Sequence, residues 1–162
     1  MPCIRLHPNY HGYRLDDPVF SEVLRLTASR RLLVQLAVAM EDDRTQHPLM
    51  RVPPVDLSPL PEVLQKQPGT RLIILNSDHA QMPERLKSLV PFNNVYFDLA
   101  MVEGVNGVGR LAKVVSSRRT LFGSNFPLFY FESAALKVRE AGCTDAEKQA
   151  ILEDNARGLL AA

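Results

Sequence analysis

The chain has 162 residues, of which 46% are hydrophobic and 23% charged, and its formal net charge is +1. This composition predicts a single globular domain over residues 1–162 and excludes a disordered chain. The near-neutral charge argues against nucleic-acid binding, and no apolar run approaches the length of a membrane span. The 2 cysteines, Cys3 and Cys143, fit no metal-binding spacing and indicate thiols in a reducing compartment, so we expect a cytoplasmic protein.

Strand and helix patterns alternate from the start of the chain. A short strand is predicted over Cys3–Leu6, and Asp17-Pro18 then opens a helix, with Asp as the cap and Pro in the first turn. The almost continuously apolar run Leu32–Ala39 is typical of a buried parallel strand. A proline-rich connection follows and leads to a short helix over about Leu60–Gln67.

The second half of the chain continues this alternation. Its last helix begins after Thr144, and Glu147 three residues later completes a capping box. Because strands alternate with helices, we predict a parallel sheet with right-handed crossovers. In chain order the elements are the strand Arg71–Leu75, the helix Pro83–Val90, the strand Val95–Leu99, the helix Val108–Ser116, the strand Thr120–Gly123 and the helices Tyr130–Ala141 and Asp145–Leu160.

The number of strands leaves two folds open. About five strands are predicted, whereas a closed TIM-type barrel needs about eight strands and roughly 250 residues. The chain therefore forms either an open, doubly wound α/β sheet or a part of a (β/α) barrel. For an open sheet, no Gly-rich phosphate loop supports nucleotide binding.

Three sequence motifs, taken in chain order, resemble those of a known family, and this resemblance favours the partial barrel. They are Ile4-Arg5-Leu6-His7-Pro8 with the following Asp16-Asp17-Pro18, then Gly123-Ser124-Asn125-Phe126-Pro127, and finally Asn155-Ala156-Arg157. In this order they resemble the amidohydrolase superfamily, in particular its amidohydrolase-related (amidohydrolase-2) branch of metal-dependent hydrolases and decarboxylases. The resemblance implies a partial TIM-like (β/α) barrel of about five parallel βα units that correspond to the second half of the barrel.

The resemblance also implies a divalent metal such as zinc, and its ligand positions can be checked in this chain. The family has a His-x-His pair on the first barrel strand, a His ending the fifth and the sixth, and an Asp ending the eighth. Here no such pair occurs, Ala37-Val38-Ala39 stands at the fifth strand, Asn76 at the sixth and Asn125 at the eighth. Since an Asn amide has no negative charge and cannot act as a carboxylate base, we predict no bound metal and no other cofactor.

Candidate catalytic residues lie at the predicted carboxyl ends of the strands, where barrel enzymes place their chemistry. We predict His7 and Asp42 as acid/base residues, together with Asn125 at the position of the family's Asp. Each has a structural alternative. His7 would be a hydrogen-bonded strand end, Asp42 would pair with Arg44 in a solvated loop at little energetic gain, and Asn125 would maintain the loop geometry.

Candidate substrate-binding residues surround the same edge. Arg44 could hold a substrate carboxylate through two parallel hydrogen bonds. His11 follows His7 by four residues, but Pro8 and Gly12 argue against a helical pair. The predicted substrate-binding residues are Asn9, His11, Arg44, Asn76 and Asp98.

The sequence leaves several functional classes open. One is an enzyme that acts on a small carboxylate-bearing molecule by metal-independent acid/base chemistry, for which the resemblance implies hydrolysis or decarboxylation. The others are a non-catalytic binding or assembly protein that retains the barrel scaffold, and one part of a split or truncated hydrolase. Because a partial barrel exposes edge strands and an apolar inner face, we expect a homo-oligomer or pairing with a missing barrel half.

Overall fold

Parallel strands form one sheet in the order of the chain. The computed structural model describes residues 3–42, 44–77 and 86–161. Within them a five-stranded sheet has the order β1-β2-β3-β4-β5, and each strand pairs in parallel with the next. The predicted α/β architecture is therefore confirmed. The strands are β1 (Cys3–Leu6), β2 (Leu33–Ala37), β3 (Arg71–Leu75), β4 (Val95–Asp98) and β5 (Thr120–Leu121).

Helices connect the strands and close the chain. The predicted helix Pro83–Val90 lies partly outside the described residues, and none of the described helices is both long and apolar enough to cross a membrane. Those with described bounds are α1 (Pro8–His11), α2 (Pro18–Ser29), α3 (Leu60–Lys66), α4 (Gly107–Val115), α5 (Phe131–Arg139) and α6 (Asp145–Gln149), which continues through a π-helical turn (Ala150–Asp154) into α7 (Asn155–Ala161).

The two predicted helix caps are present. The carboxylate of Asp17 accepts a hydrogen bond from the Val19 N–H at 2.8 Å. At the start of α6 the Thr144 hydroxyl accepts from the Glu147 N–H at 3.3 Å, and the Glu147 carboxylate accepts from the Thr144 N–H at 2.9 Å. This reciprocal pair is the capping box that the spacing predicts.

A one-turn helix follows His7, which is its cap residue, and the sequence interpretation did not predict this helix. His11 is the last residue of the one-turn helix α1, and its N–H donates to the His7 carbonyl at 3.0 Å. The ring centroids of His7 and His11 are 6.2 Å apart. Pro8 occupies the first turn and Gly12, at φ 73°, ends the helix in the left-handed conformation. Proline and glycine therefore act here as the start and stop of a helix.

Strand β5 is shorter than its apolar pattern predicts. It ends at Leu121, whereas the predicted strand extends to Gly123. The reason is a long-range hydrogen bond, since the Phe122 N–H donates to the carbonyl of Ile151 in the π-helical turn at 2.9 Å. The last helical segment thus replaces a neighbouring strand at this point.

The two faces of the sheet are packed differently. One face is covered by α2 to α5 and holds the main core, in which Phe97 has no exposed surface. The opposite face, which we call the inner face, carries a smaller cluster of Leu33, Ile73 and Leu121 with Leu159 of α7. The Arg71 guanidinium, at the start of β3, donates to the Leu159 carbonyl at 3.2 Å, so α7 covers the amino end of the inner face. The strand residues of the main core are Val34, Leu36, Leu72, Ile74, Val95 and Phe97.

Candidate functional site

Asn76 and Asp98 meet where β3 and β4 end. The Asn76 N–H donates to Asp98 Oδ1 at 2.9 Å, and the Asn76 side-chain amide donates to the Ala39 carbonyl at 2.9 Å. Asn76 has a φ of 55°, in the left-handed region that asparagine adopts more readily than most residues. Asn76 therefore connects three successive strand ends through its main chain and its side chain.

Asp98 is a buried carboxyl group on the inner face. Its side chain belongs to a residue that is only 4% exposed, and desolvation raises its pKa to about 7, against the opposing effects of hydrogen bonds from the Asn76 and Ala100 main chain. A Cβ atom on Gly123 would lie 2.6 Å from Asp98 Oδ2, so glycine is required for this close approach. Near neutral pH the group is divided between its neutral and ionised forms.

Asn125 joins the segment after β5 to the segment after β2. Its side-chain amide donates to the Met40 carbonyl at 2.9 Å. Its φ of 51° is again in the left-handed region. These contacts fit the structural alternative for Asn125, in which the residue maintains the loop geometry.

A cavity of about 340 Å³, the inner-face cavity, opens above the inner face of the sheet. Arg5 of β1 and Gln35 of β2 line it together with Asp98 and Asn125. The Arg5 Nε–H donates to Gln35 Oε1 at 2.9 Å. The sequence interpretation missed both residues, although Arg5 alternates with the core residues Ile4 and Leu6 and Gln35 interrupts an apolar strand.

A second cavity of about 500 Å³, the outer cleft, shares Asn76 with the first and contains Asp42 and Arg44. The Arg44 guanidinium donates to the Asp42 carboxylate from Nε at 2.8 Å and to Glu103 Oε1 at 2.6 Å. The hydrogen bonds from Arg44 to Asp42 are the main reason why the pKa of Asp42 is lowered. Glu103 was also missed by the sequence interpretation, and its contact spans 59 residues.

Lys137 enters the outer cleft from α5. Its ammonium group donates to the Ala100 carbonyl at 2.8 Å, directly beyond the end of β4. Desolvation lowers the pKa of Lys137, while the negative charges of Glu103 and Asp98 oppose this effect. The cleft thus carries two cations and two carboxylates that already interact with protein groups.

His7, Asn9 and His11 lie apart from the outer cleft. His7 and Asn9 line a small hollow with Met40 and Pro53, and the Asn9 side-chain amide donates to the Pro53 carbonyl. Burial lowers the pKa of His7, with smaller contributions from the charges of Arg5 and His11. The structure therefore does not bring the predicted acid/base pair of His7 and Asp42 into one cavity.

The described residues do not fit a catalytic metal site of the family type. In the part of the chain that the structure describes, no three His, Cys, Asp or Glu side chains come together in a way that could hold a metal ion. A catalytic zinc needs about three protein ligands. At the two family positions, Asn76 and Asn125 instead donate their amide groups to main-chain carbonyls.

The family relationship extends over nearly the whole chain. Residues 3–161 match a family model described as Amidohydrolase (Amidohydro_2). The chain belongs to the amidohydrolase family. No curated protein matches this amidohydrolase-family chain significantly.

Solved structures confirm the partial barrel. The chain is similar to the uncharacterized TIM-barrel protein Bb4693 from Bordetella bronchiseptica, with 16% identity and a TM-score of 0.77 over 99% of this chain and 57% of that one. For Amidohydrolase 2 from Bifidobacterium longum subsp. infantis the values are 21%, 0.68, 99% and 61%. For 5-carboxyvanillate decarboxylase LigW from Sphingomonas paucimobilis they are 11%, 0.74, 99% and 58%. The chain therefore spans 57% to 61% of these structures, as a partial (β/α) barrel does.

Proposed function

We propose that this amidohydrolase-like chain acts on a small carboxylate-bearing molecule and that it does so without the metal centre of its family. The observation that carries the proposal is the pair of amides at the sixth and eighth strand ends. Asn76 and Asn125 each donate to a main-chain carbonyl at 2.9 Å, so their amide groups hydrogen-bond to the segment that follows β2. A carboxylate or imidazole ligand at these positions would be needed for zinc.

Proton transfer in this site would depend on groups that titrate near neutral pH. Asp98 meets this condition because its pKa is raised to about 7, whereas burial lowers the pKa of His7, which lines a separate hollow. Asp42 is better suited to hold Arg44 than to act as a base, because its pKa is lowered by that same pairing. Asn125 would support the loop rather than the chemistry. The structural neighbour named as a 5-carboxyvanillate decarboxylase supports a carboxylate-bearing substrate and cleavage of a C–C bond as the class of reaction.

Native mass spectrometry of the purified chain tests this proposal. After exposure to Zn²⁺ and removal of the excess, we expect no stoichiometric metal on the protein. The same spectrum reports the oligomeric mass. Stoichiometric zinc that survives the removal of excess metal would contradict the proposal.

An Asn125→Asp variant examines whether the metal site differs from the family by one residue or by several. Aspartate tolerates the left-handed backbone, but it loses the amide that donates to Met40, which should lower the free energy of unfolding by about 1 to 3 kcal/mol. We expect no gain in zinc affinity, because no set of described ligands converges there. Isothermal titration with Zn²⁺ measures the affinity, and the exposed Asn93→Asp variant controls for the added charge. A marked gain that only Asn125→Asp produces would restore the metal-dependent hydrolase hypothesis.

An assembly role or one part of a split hydrolase is the second candidate. The edge strands β1 and β5 each pair with only one neighbour among the described residues. Beyond β5, the side chains of Phe126 and Tyr130 are 70% and 81% exposed. These exposed apolar groups, together with the edge of β1, favour association with a second copy or with the remaining barrel strands. A compact, stable monomer of 18.2 kDa in dilute solution would count against this role.

A further inference from the structure

An apolar residue lies at the centre of the outward side of α5. One side of this helix packs on the main core, and Leu136 lies on the opposite side and is 55% exposed. Tyr130 and Phe131, where the helix begins, are exposed as well. We call this outward side of residues 130–140 the α5 face. We propose that the α5 face binds the α5 face of a second copy of this chain, in a two-fold symmetric pair of antiparallel helices.

The charges of the α5 face are placed to pair between two copies. Glu132 and Arg139 are exposed on the same side of the helix as Leu136. They are two turns apart, about 10 Å along the axis, which is too far for an ion pair within one helix. When two copies of α5 run antiparallel with the two-fold axis beside Leu136, Glu132 of each copy lies opposite Arg139 of the other. The attraction therefore occurs twice, as an isologous interface requires.

Other helices of the chain use their exposed charges differently. Their ion pairs join residues three or four positions apart, a spacing that brings side chains together on one helix. These pairs are Glu22 with Arg25, Glu62 with Lys66 and Glu153 with Arg157. Toward the part of the chain that the structure describes, Glu132 and Arg139 form no ion pair. Both charges are therefore available to a second copy.

A groove beside α5 provides room for side chains of the second copy. It has a volume of about 590 Å³ and lies between Tyr130 and Leu136 on one side and Val102 and Gly104 on the other. Its apolar lining can receive the Tyr130 or Leu136 side chain of the other copy. Lys137 lines both this groove and the outer cleft, so the second copy would lie beside the outer cleft.

The exposed area is close to what a stable dimer needs. Tyr130, Phe131 and Leu136 leave on the order of 400 Å² of mostly apolar surface exposed. The exposed polar residues of the same face bring this area toward the roughly 800 Å² that each partner buries in a standard interface. These polar residues are Glu132, Ser133, Arg139 and Glu140. An apolar centre with a charged rim is also the usual composition of such an interface.

The α5 face is separate from the open edge of the sheet. Helix α5 follows β5, the last strand of the sheet, whereas the open edge belongs to β1, the first. Association through the α5 face would leave the edge of β1 and the inner face unchanged. The inference therefore goes beyond the proposed function and does not depend on the completion of a barrel by the second copy.

Sedimentation velocity of the full chain over a range of protein concentrations tests the inference. We expect an equilibrium of monomer and dimer with a dissociation constant in the micromolar range. Leu136→Asp places a charge at the centre of the interface in both copies and should raise this constant by about a hundred-fold or more. Val19→Asp, at an exposed apolar position of α2, is the matched control and should leave the constant unchanged. Circular dichroism checks that both variants are folded.

A charge exchange tests the antiparallel arrangement itself. Glu132→Arg alone and Arg139→Glu alone should each weaken the dimer by about ten-fold or more, because like charges then meet at both contacts. An equal mixture of the two variants should form a heterodimer in which both contacts are attractive again. Recovery on mixing supports the inference. A chain that stays monomeric at every concentration, a dimer that Leu136→Asp does not weaken, or variants that do not associate on mixing would overturn it.

Discussion

Replacing Asp98 by Asn should raise the free energy of unfolding by about 4 kcal/mol at about pH 9 and change it little at about pH 4. The pKa of Asp98 is about 7 in the folded protein, compared with 3.8 for an unperturbed aspartate. Between these two values the folded state binds more protons than the unfolded state. The stability of the wild-type protein therefore falls as the pH rises from about 4 to about 7, because a buried carboxyl group must ionise. Asparagine cannot ionise, and its Oδ1 can still accept from the Asn76 N–H.

Urea denaturation of both proteins across this pH range measures the effect. Asp154→Asn, at an exposed position in the last helical segment, is the matched control for the same change of side chain. The free energy of unfolding could instead change with pH in the same way for wild type and Asp98→Asn. That result would show that Asp98 ionises as readily in the folded protein as in the unfolded one.

Phe97→Ala should lower the free energy of unfolding by about 4 kcal/mol, and Tyr96→Ala should lower it by less than half as much. The two residues are neighbours on β4 and point to opposite faces of the sheet. Phe97 has no exposed surface and belongs to the main core under the helices, so truncation leaves a cavity. Tyr96 is only partly buried and packs against the smaller inner-face cluster. Urea denaturation of the two variants at one pH gives both values.

This pair also reports whether the inner face is covered in solution. Equal losses for Phe97→Ala and Tyr96→Ala would mean that another segment or a second copy buries Tyr96, as the assembly candidate requires. Repeating the measurement at several protein concentrations separates these cases, because the stability of an oligomer depends on protein concentration. Phe97→Leu is the control at the same site. Because it removes less volume, it should lower the free energy of unfolding by less than Phe97→Ala does.

The strands were predictable because local pattern and global packing agree in them. The apolar run that contains β2 identifies a buried segment, and the caps at Asp17 and Thr144 mark helix starts that the structure keeps. The errors occur where a distant residue decides. Strand β5 ends early because Phe122 bonds to Ile151, which no local pattern contains. The one-turn helix after His7 was missed because its proline and glycine were interpreted as breakers.

The site was predictable only in part, for a related reason. The strand-end positions of Asn76, Asp98 and Asn125 follow from the order of the strands and the family resemblance. Which of these groups share a cavity depends on the paths of the loops, and His7 and Asp42 therefore separate although both follow strands. Glu103 could not be predicted from the sequence as the partner of Arg44, because two strands lie between them in the chain. Arg5 and Gln35 could have been found by counting alternate residues along β1 and β2.

The left-handed backbone at Asn76 and Asn125 has an evolutionary consequence. Among non-glycine residues, Asn, Asp and His adopt this conformation several-fold more often than others. They are also the three residue types that distinguish this chain from the family pattern at its sixth and eighth strand ends. At φ values of 55° and 51°, exchange among them replaces a side chain without requiring a new main-chain path. A lineage could therefore drift between ligand-bearing and ligand-free forms of this scaffold by point mutation, with the strands and loops left in place.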